Sequence, residues 1–141
     1  MDIHHATILR DQPPARIYAA LTQPDDLRVW MSAPVLGQSE VGTLLEFQYD
    51  GGIRSLKVEI TRLEPDQLVQ WRVIDPIWGV GAGVQVVTWT LTPYESSTLI
   101  DFRMEGWEQD DEVYASVSYK WASFMMRLRL YLGDRRDVAG V

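Results

Sequence analysis

The chain has 141 residues, 46% of them apolar and 23% charged, which is enough for one well-buried core and excludes a disordered segment or two ordinary domains. A formal charge of −7, from 20 acidic against 13 basic residues, gives no positive field to gather phosphates and argues against nucleic-acid binding. With no cysteine there is no disulfide framework, thiolate nucleophile or cysteine metal site, and no segment approaches the roughly 18 apolar residues of a membrane helix. The start, MDIHHATILRDQPP, carries charges within its first dozen residues and no apolar stretch of the signal-peptide kind, so a cytoplasmic protein is expected.

Asp2 to Arg10 is short and partly alternating, and it reads as a strand. Pro13 and Pro14 suit the first turn of a brief helix whose apolar face is Ile17, Ala20 and Leu21. Pro24, Asp25 and Asp26 open a second helix, with Leu27, Trp30 and Met31 at i, i+3 and i+4. From Val35 to Trp107 the period changes to two. Leu45, Phe47 and Tyr49 share one face, Gly51-Gly52 supplies a hairpin turn, and Leu56, Val58 and Ile60 return on the next strand. Pro65-Asp66 makes the following turn, after which Val69, Trp71 and Val73 align. Asp75 to Gly83, with Pro76 and three glycines, reads as a long loop.

Val87, Trp89 and Leu91 alternate with threonines, Glu95 to Ser97 turn the chain, and Ile100, Phe102 and Met104 alternate with charged residues. The helical period returns from about Asp110 to Leu132, placing Val117, Trp121, Phe124, Leu128 and Tyr131 on one side, and Gly133 is a natural stop. Arg127, Arg129, Arg135 and Arg136 gather at the end of this helix, where positive charge complements the helix dipole. The expected organisation is one domain over residues 1–133 with a frayed tail, 134–141. A single apolar sheet face of this size needs a cover, and the long helix is the only element large enough. The fold class is therefore α+β of the helix-grip type: a curved antiparallel sheet of about seven strands wrapped around a C-terminal helix, with two short helices after the first strand.

That element order, carried by DQPPARIYAALTQPDDLRVWM, VGTLLEF, LEPDQLVQW, VVTWTLTPYESSTLIDFRMEGW and MRLRLYLG, resembles the START-like SRPBCC superfamily. Within it the sequence is most similar to the family named for activators of the heat-shock-protein-90 ATPase. The resemblance spans about Ile3 to Leu132 and implies a cavity for a hydrophobic or amphipathic small molecule between sheet and helix. It also puts His4, Ala6 and Ile8 on the inner face, making His4 the better cavity histidine of the adjacent pair, although a partly exposed terminal histidine is the plainer reading.

Inner-face aromatics both pack a helix-grip core and line its opening, so the candidate ligand-binding residues are Trp30, Phe47, Tyr49, Trp71, Trp89, Phe102 and Trp121. Arg54 shares the parity of Leu56, and its guanidinium must find a partner, a ligand anion or solvent at the sheet rim. Trp78, in the glycine-rich loop, is a candidate lid or a contact with a second copy. No nucleophile elbow, phosphate loop, metal spacing or acid/base pair is visible, and the carboxylates Glu46, Glu59, Asp101 and Glu105 fall on the outer face. The expected function is binding or carriage of a hydrophobic ligand by a monomer or homodimer, without cofactor or metal. A cyclase- or hydratase-type enzyme using the same cavity and a chaperone-related interaction module are the alternatives.

Overall fold

The structure is a computed structural model that describes residues 1–79 and 81–134. Strand β1 (Ile3–Leu9) leads into helices α1 (Pro14–Thr22) and α2 (Pro24–Trp30). Six strands follow: β2 (Val35–Leu36), β3 (Leu44–Tyr49), β4 (Arg54–Glu64), β5 (Leu68–Asp75), β6 (Val86–Tyr94) and β7 (Ser97–Glu105). Helix α3 (Glu112–Tyr131) closes the domain. The seven strands form one antiparallel sheet in the order β1-β7-β6-β5-β4-β3-β2, so β2 to β7 are a meander and β1 returns along the far edge. This is the helix-grip architecture expected from the sequence.

Local chemistry explains the boundaries. Pro14 and Pro24 each occupy the first turn of a short helix, where the missing N–H removes no intrahelical bond. The Trp30 indole donates to the Ala20 carbonyl (2.8 Å), which ties α2 to α1. Gly52, at φ +93°, completes the β3–β4 turn in a conformation that L side chains rarely adopt. Helix α3 begins at Asp111, whose carboxylate accepts the Tyr114 backbone N–H (3.0 Å). It stops before Gly133, at φ +91°.

Sheet alternation then sorts the side chains. The inner residues named above for β3 to β7 are buried except Tyr49, which is half-buried, and the outer ones meet across strands as ion pairs. Glu59 and Arg72 sit opposite each other on β4 and β5 and are bonded. Lys57 lies 3.6 Å from Glu46, its partner on β3. Two register shifts in β4, between Lys57 and Val58 and between Ile60 and Arg62, bend the strand and coil the sheet around α3. The result is one hydrophobic cluster running from Ile3 to Leu132.

Two expectations are corrected. In β1 the inward side chains are Ile3, His5, Thr7 and Leu9, because Ile3 and Leu9 are the fully buried ends and the strand period is two. His4 therefore faces outward and lies 2.5 Å from Asp101, as the plainer terminal-histidine reading had it. His5 instead stacks on Phe102, with centroids 6.2 Å apart, and its Nε2 lies 3.1 Å from the Ser118 carbonyl.

The second correction concerns the basic cluster. Arg129 is not a surface cation at a helix end but is 3% exposed, since Trp121, Met125 and Arg129 are four apart on one buried stripe. Its guanidinium donates to the Ile8 carbonyl (2.9 Å) and the Thr7 hydroxyl and pairs with Asp134 (3.2 Å). Asp134 also accepts the Arg10 backbone N–H (2.8 Å), so the first residue of the expected tail is buried and bonded. The remainder of that tail, 135–141 with Arg135 and Arg136, lies outside the described residues.

Candidate functional site

The aromatic inner face divides into a packed part and an open part. Trp71, Trp89 and Phe102, from three adjacent strands, surround Trp121 of α3 at centroid distances of 6.4, 6.2 and 5.0 Å. Phe47 packs on Trp71 at 6.0 Å and Trp30 meets Trp89 edge-on at 5.9 Å. Large rings at these separations fill the middle of the grip. Trp30, Phe47, Trp71, Trp89 and Phe102 line no cavity that includes Tyr49 or Trp78; they are core. The indole N–H groups of Trp71 and Trp89 are buried without a hydrogen-bond acceptor among the described residues. The T-shaped contact between these two rings, at 6.0 Å and 69°, is the geometry in which an N–H rests on a π face.

Toward the β3–β4 turn the packing stops and a cavity of about 420 Å³ remains. Its floor is apolar: Leu56 from β4, Val117, Trp121 and Phe124 from α3. Ile77 and Trp78, from the loop between β5 and β6, form one wall. Ser116 and Lys120 of α3 and Tyr49, Asp50 and Arg54 around the turn supply the polar rim. The space lies between the turn ends of β3 and β4 and the Val117 segment of α3.

Of the nine residues anticipated from sequence, Tyr49, Arg54, Trp78 and Trp121 border this cavity and the other five do not. Trp78 is pinned: its N–H donates to Gln85 (3.2 Å) and its ring lies 6.1 Å from Trp107. Gly106 permits that arrangement, because a Cβ there would stand 2.2 Å from the Val84 carbonyl oxygen. In this arrangement Trp78 forms one wall of the cavity. Arg54 reaches solvent at the strand end and pairs with Asp50 at 3.5 Å. The Tyr49 hydroxyl donates to the Met31 carbonyl (3.2 Å), and burial raises its pKa from 10.0 to about 12, with the charge of Arg127 pulling the other way. That phenol stays protonated, and its one proton is already committed.

Lys120 and Ser116 were not singled out from sequence. Their signal was present, since both lie within one turn of Val117 and so share its end of the helix. The described residues contain no group of three or more His, Cys, Asp or Glu able to hold a metal ion. They also contain no helix long and apolar enough to cross a membrane.

A seven-stranded sheet gripping a C-terminal helix, with an apolar cavity at one end, defines a START-like domain of the SRPBCC class. The chain belongs to the family of Activator of Hsp90 ATPase homolog 1-like proteins, whose model matches residues 11–133. Its structure is similar to that of the Aha1 dimer from Colwellia psychrerythraea, at 27% identity and a TM-score of 0.80, covering 92% of this chain and 93% of that one. Protein MLL2253 from Mesorhizobium loti is similar at 23% identity and a TM-score of 0.77, covering 92% and 96%. SSP2350 from Staphylococcus saprophyticus is similar at 20% identity and a TM-score of 0.75, covering 94% and 91%. No curated protein sequence matches the chain.

Proposed function

We propose that this domain binds a hydrophobic or amphipathic small molecule in the cavity between α3 and the β3–β4 hairpin. The observation that carries the proposal is the 420 Å³ space with its floor of Leu56, Val117, Trp121 and Phe124, a size and lining suited to a small organic ligand. Burial of apolar ligand area, at roughly 25 cal/mol per Å², would supply most of the affinity. Catalysis has less support: Tyr49 is held protonated with its proton committed to Met31, and Asp50 is paired with Arg54. The similar Colwellia structure is that of a dimer, which favours the homodimer of the two assembly states open from sequence. A cytoplasmic setting remains an expectation from the cysteine-free sequence.

Native mass spectrometry of the protein purified from its own host tests this reading. A retained small-molecule mass, released on denaturation and absent from a variant with the cavity filled, is the expected result. Protein that carries no such mass, and whose cavity takes up no apolar probe in titration, would overturn it and favour the interaction-module alternative.

A further inference from the structure

The polar groups of the cavity are unevenly distributed in charge. In a chain of net charge −7, the rim carries two cations, Arg54 and Lys120, against one carboxylate, Asp50. Asp50 is occupied by Arg54 at 3.5 Å. Lys120 has no ion-pair or hydrogen-bond partner among the described residues. A third cation stands close by: Arg127 lies over the ring of Phe124, a floor residue, with its guanidinium 5.9 Å from the ring centroid. Its hydrogen-bond partner is the neutral Ser32 hydroxyl rather than a carboxylate. Elsewhere on the sheet surface cations such as Arg72, Lys57 and Arg103 are matched by acids, so the unmatched charge belongs to the mouth.

We infer that the cavity is selective for amphipathic monoanions, with the apolar body of the ligand on Leu56, Val117 and Phe124 and its carboxylate-type head on the Lys120 ammonium. This rests on the ligand-binding reading above and adds the class of ligand. Three arguments decide the head group. An anion gains from an unpaired ammonium, whereas a cationic head would meet Lys120 and Arg54 at the rim. A neutral head could bond to the Tyr49 lone pair or the Ser116 hydroxyl, but it forgoes the charge-assisted contact that an anion makes with Lys120. Among the residues that line the cavity one positive charge, on Lys120, is uncompensated, which matches a single negative charge; Arg127 lies over Phe124 outside the lining, and the decyl phosphate arm of the test reads whether it adds a second. Lys120 also sits on the helix turn that carries Val117 and Trp121, so a head group it holds leaves the attached chain directed at the apolar floor.

The test is a set of fluorescence titrations at low salt with four probes sharing one alkyl chain: decanoate, decanol, decyl phosphate and decyltrimethylammonium. Trp78 and Trp121 border the cavity and report binding. Decanoate is expected to bind about tenfold more tightly than decanol, the ratio of one charge-assisted contact, and the cationic probe more weakly than either. Lys120→Gln should bring decanoate to the affinity of decanol while leaving decanol unchanged, and about 1 M salt, which confines charge interactions to ~3 Å, should have the same effect on the native protein. Equal binding of decanoate and decanol, or a preference that survives Lys120→Gln, overturns the inference and leaves the ligand-binding reading standing. Tighter binding of decyl phosphate overturns the monoanion assignment. Failure of all four probes to bind the folded protein overturns the ligand-binding reading and the inference with it.

Discussion

Trp121 of α3 lies against Phe102 of β7 with ring centroids 5.0 Å apart and planes inclined by 30°, so helix and sheet meet ring on ring at the centre of the grip. Trp121 also borders the cavity, which makes it the boundary between the solid core and the open end. Trp71, Trp89 and Phe102 pack against it on one side, and the cavity bordered by Tyr49 and Arg54 opens on the other.

Truncating that boundary residue should be costly. Trp121→Ala removes a ring that is 2% exposed and touches Trp71, Trp89, Phe102 and Phe124, and the expected loss is about 3–5 kcal/mol. Urea denaturation followed by circular dichroism would read this as a lower midpoint. Trp78→Ala, which strips a half-buried wall from the same cavity, should cost clearly less. Equal losses for the two would mean that the ring cluster is not the principal packing of the domain.

Arg129 supports a second prediction. It joins the C-terminal end of α3 to β1 through the Ile8 carbonyl, the Thr7 hydroxyl and Asp134, all in a site where Arg129 is 3% and Asp134 0% exposed in side-chain area. Arg129→Met removes the cation that pairs with the buried Asp134 carboxylate at 3.2 Å and should destabilise by roughly 3–5 kcal/mol. Changing both residues, Arg129→Met with Asp134→Leu, removes the buried carboxylate as well and should recover part of that loss. Thermal denaturation of the two single variants and the double variant measures the coupling, and strictly additive losses would show that the pair acts as two independent contacts.

Arg129 also marks the limit of what the sequence could say. The element order was legible because alternation in β3 to β7 is strict and the helical period over α3 is long. In β1 apolar residues occupy both parities, Ile3 and Leu9 on one and Ala6 and Ile8 on the other, so periodicity could not choose between His4 and His5. A long cationic side chain near a helix end reads as a dipole complement, and only the fold brings a β1 carbonyl and Asp134 within reach of Arg129. For the cavity, parity identified the inner rings but not which of them touch. Whether an inner ring is floor or core depends on its position along the sheet, and that was set by the turn at Asp50–Gly52 and the bulges in β4.

Filling the space gives a third prediction with the opposite sign from the first. Val117 borders the cavity and is 6% exposed, so Val117→Phe places extra ring atoms into an empty volume. Overpacking a full core costs about 1–3 kcal/mol, but here the added atoms find room, and stability should hold or rise. Uptake of apolar probes should fall by tenfold or more, roughly the effect of losing over 1.4 kcal/mol of binding energy. Melting temperature and probe titration on one sample separate the two effects. Unimpaired uptake would place the ligand site elsewhere.

The last prediction concerns alkaline pH. Burial raises the Tyr49 phenol from 10.0 to about 12, so the folded protein holds this proton more tightly than the unfolded chain does. The sign follows from linkage: where the native state binds more protons, stability falls as pH rises. The contribution is complete below about pH 10, the unfolded value, and is lost progressively as pH climbs toward the folded value of about 12. Tyr18 and Tyr131 are raised as well, Tyr18 by burial and Tyr131 chiefly by its hydrogen bond to Asp26, so the native protein should lose stability over the same alkaline range for more than one reason. Tyr49→Phe isolates one part of that loss. At neutral pH the variant lacks the hydrogen bond to Met31 and should be less stable by about 1 kcal/mol. Between pH 10 and 12 its stability should fall less steeply than that of the native protein, so the two curves converge. Urea midpoints measured across that range provide the check, and parallel curves would show that the Tyr49 phenol titrates as it does in the unfolded chain.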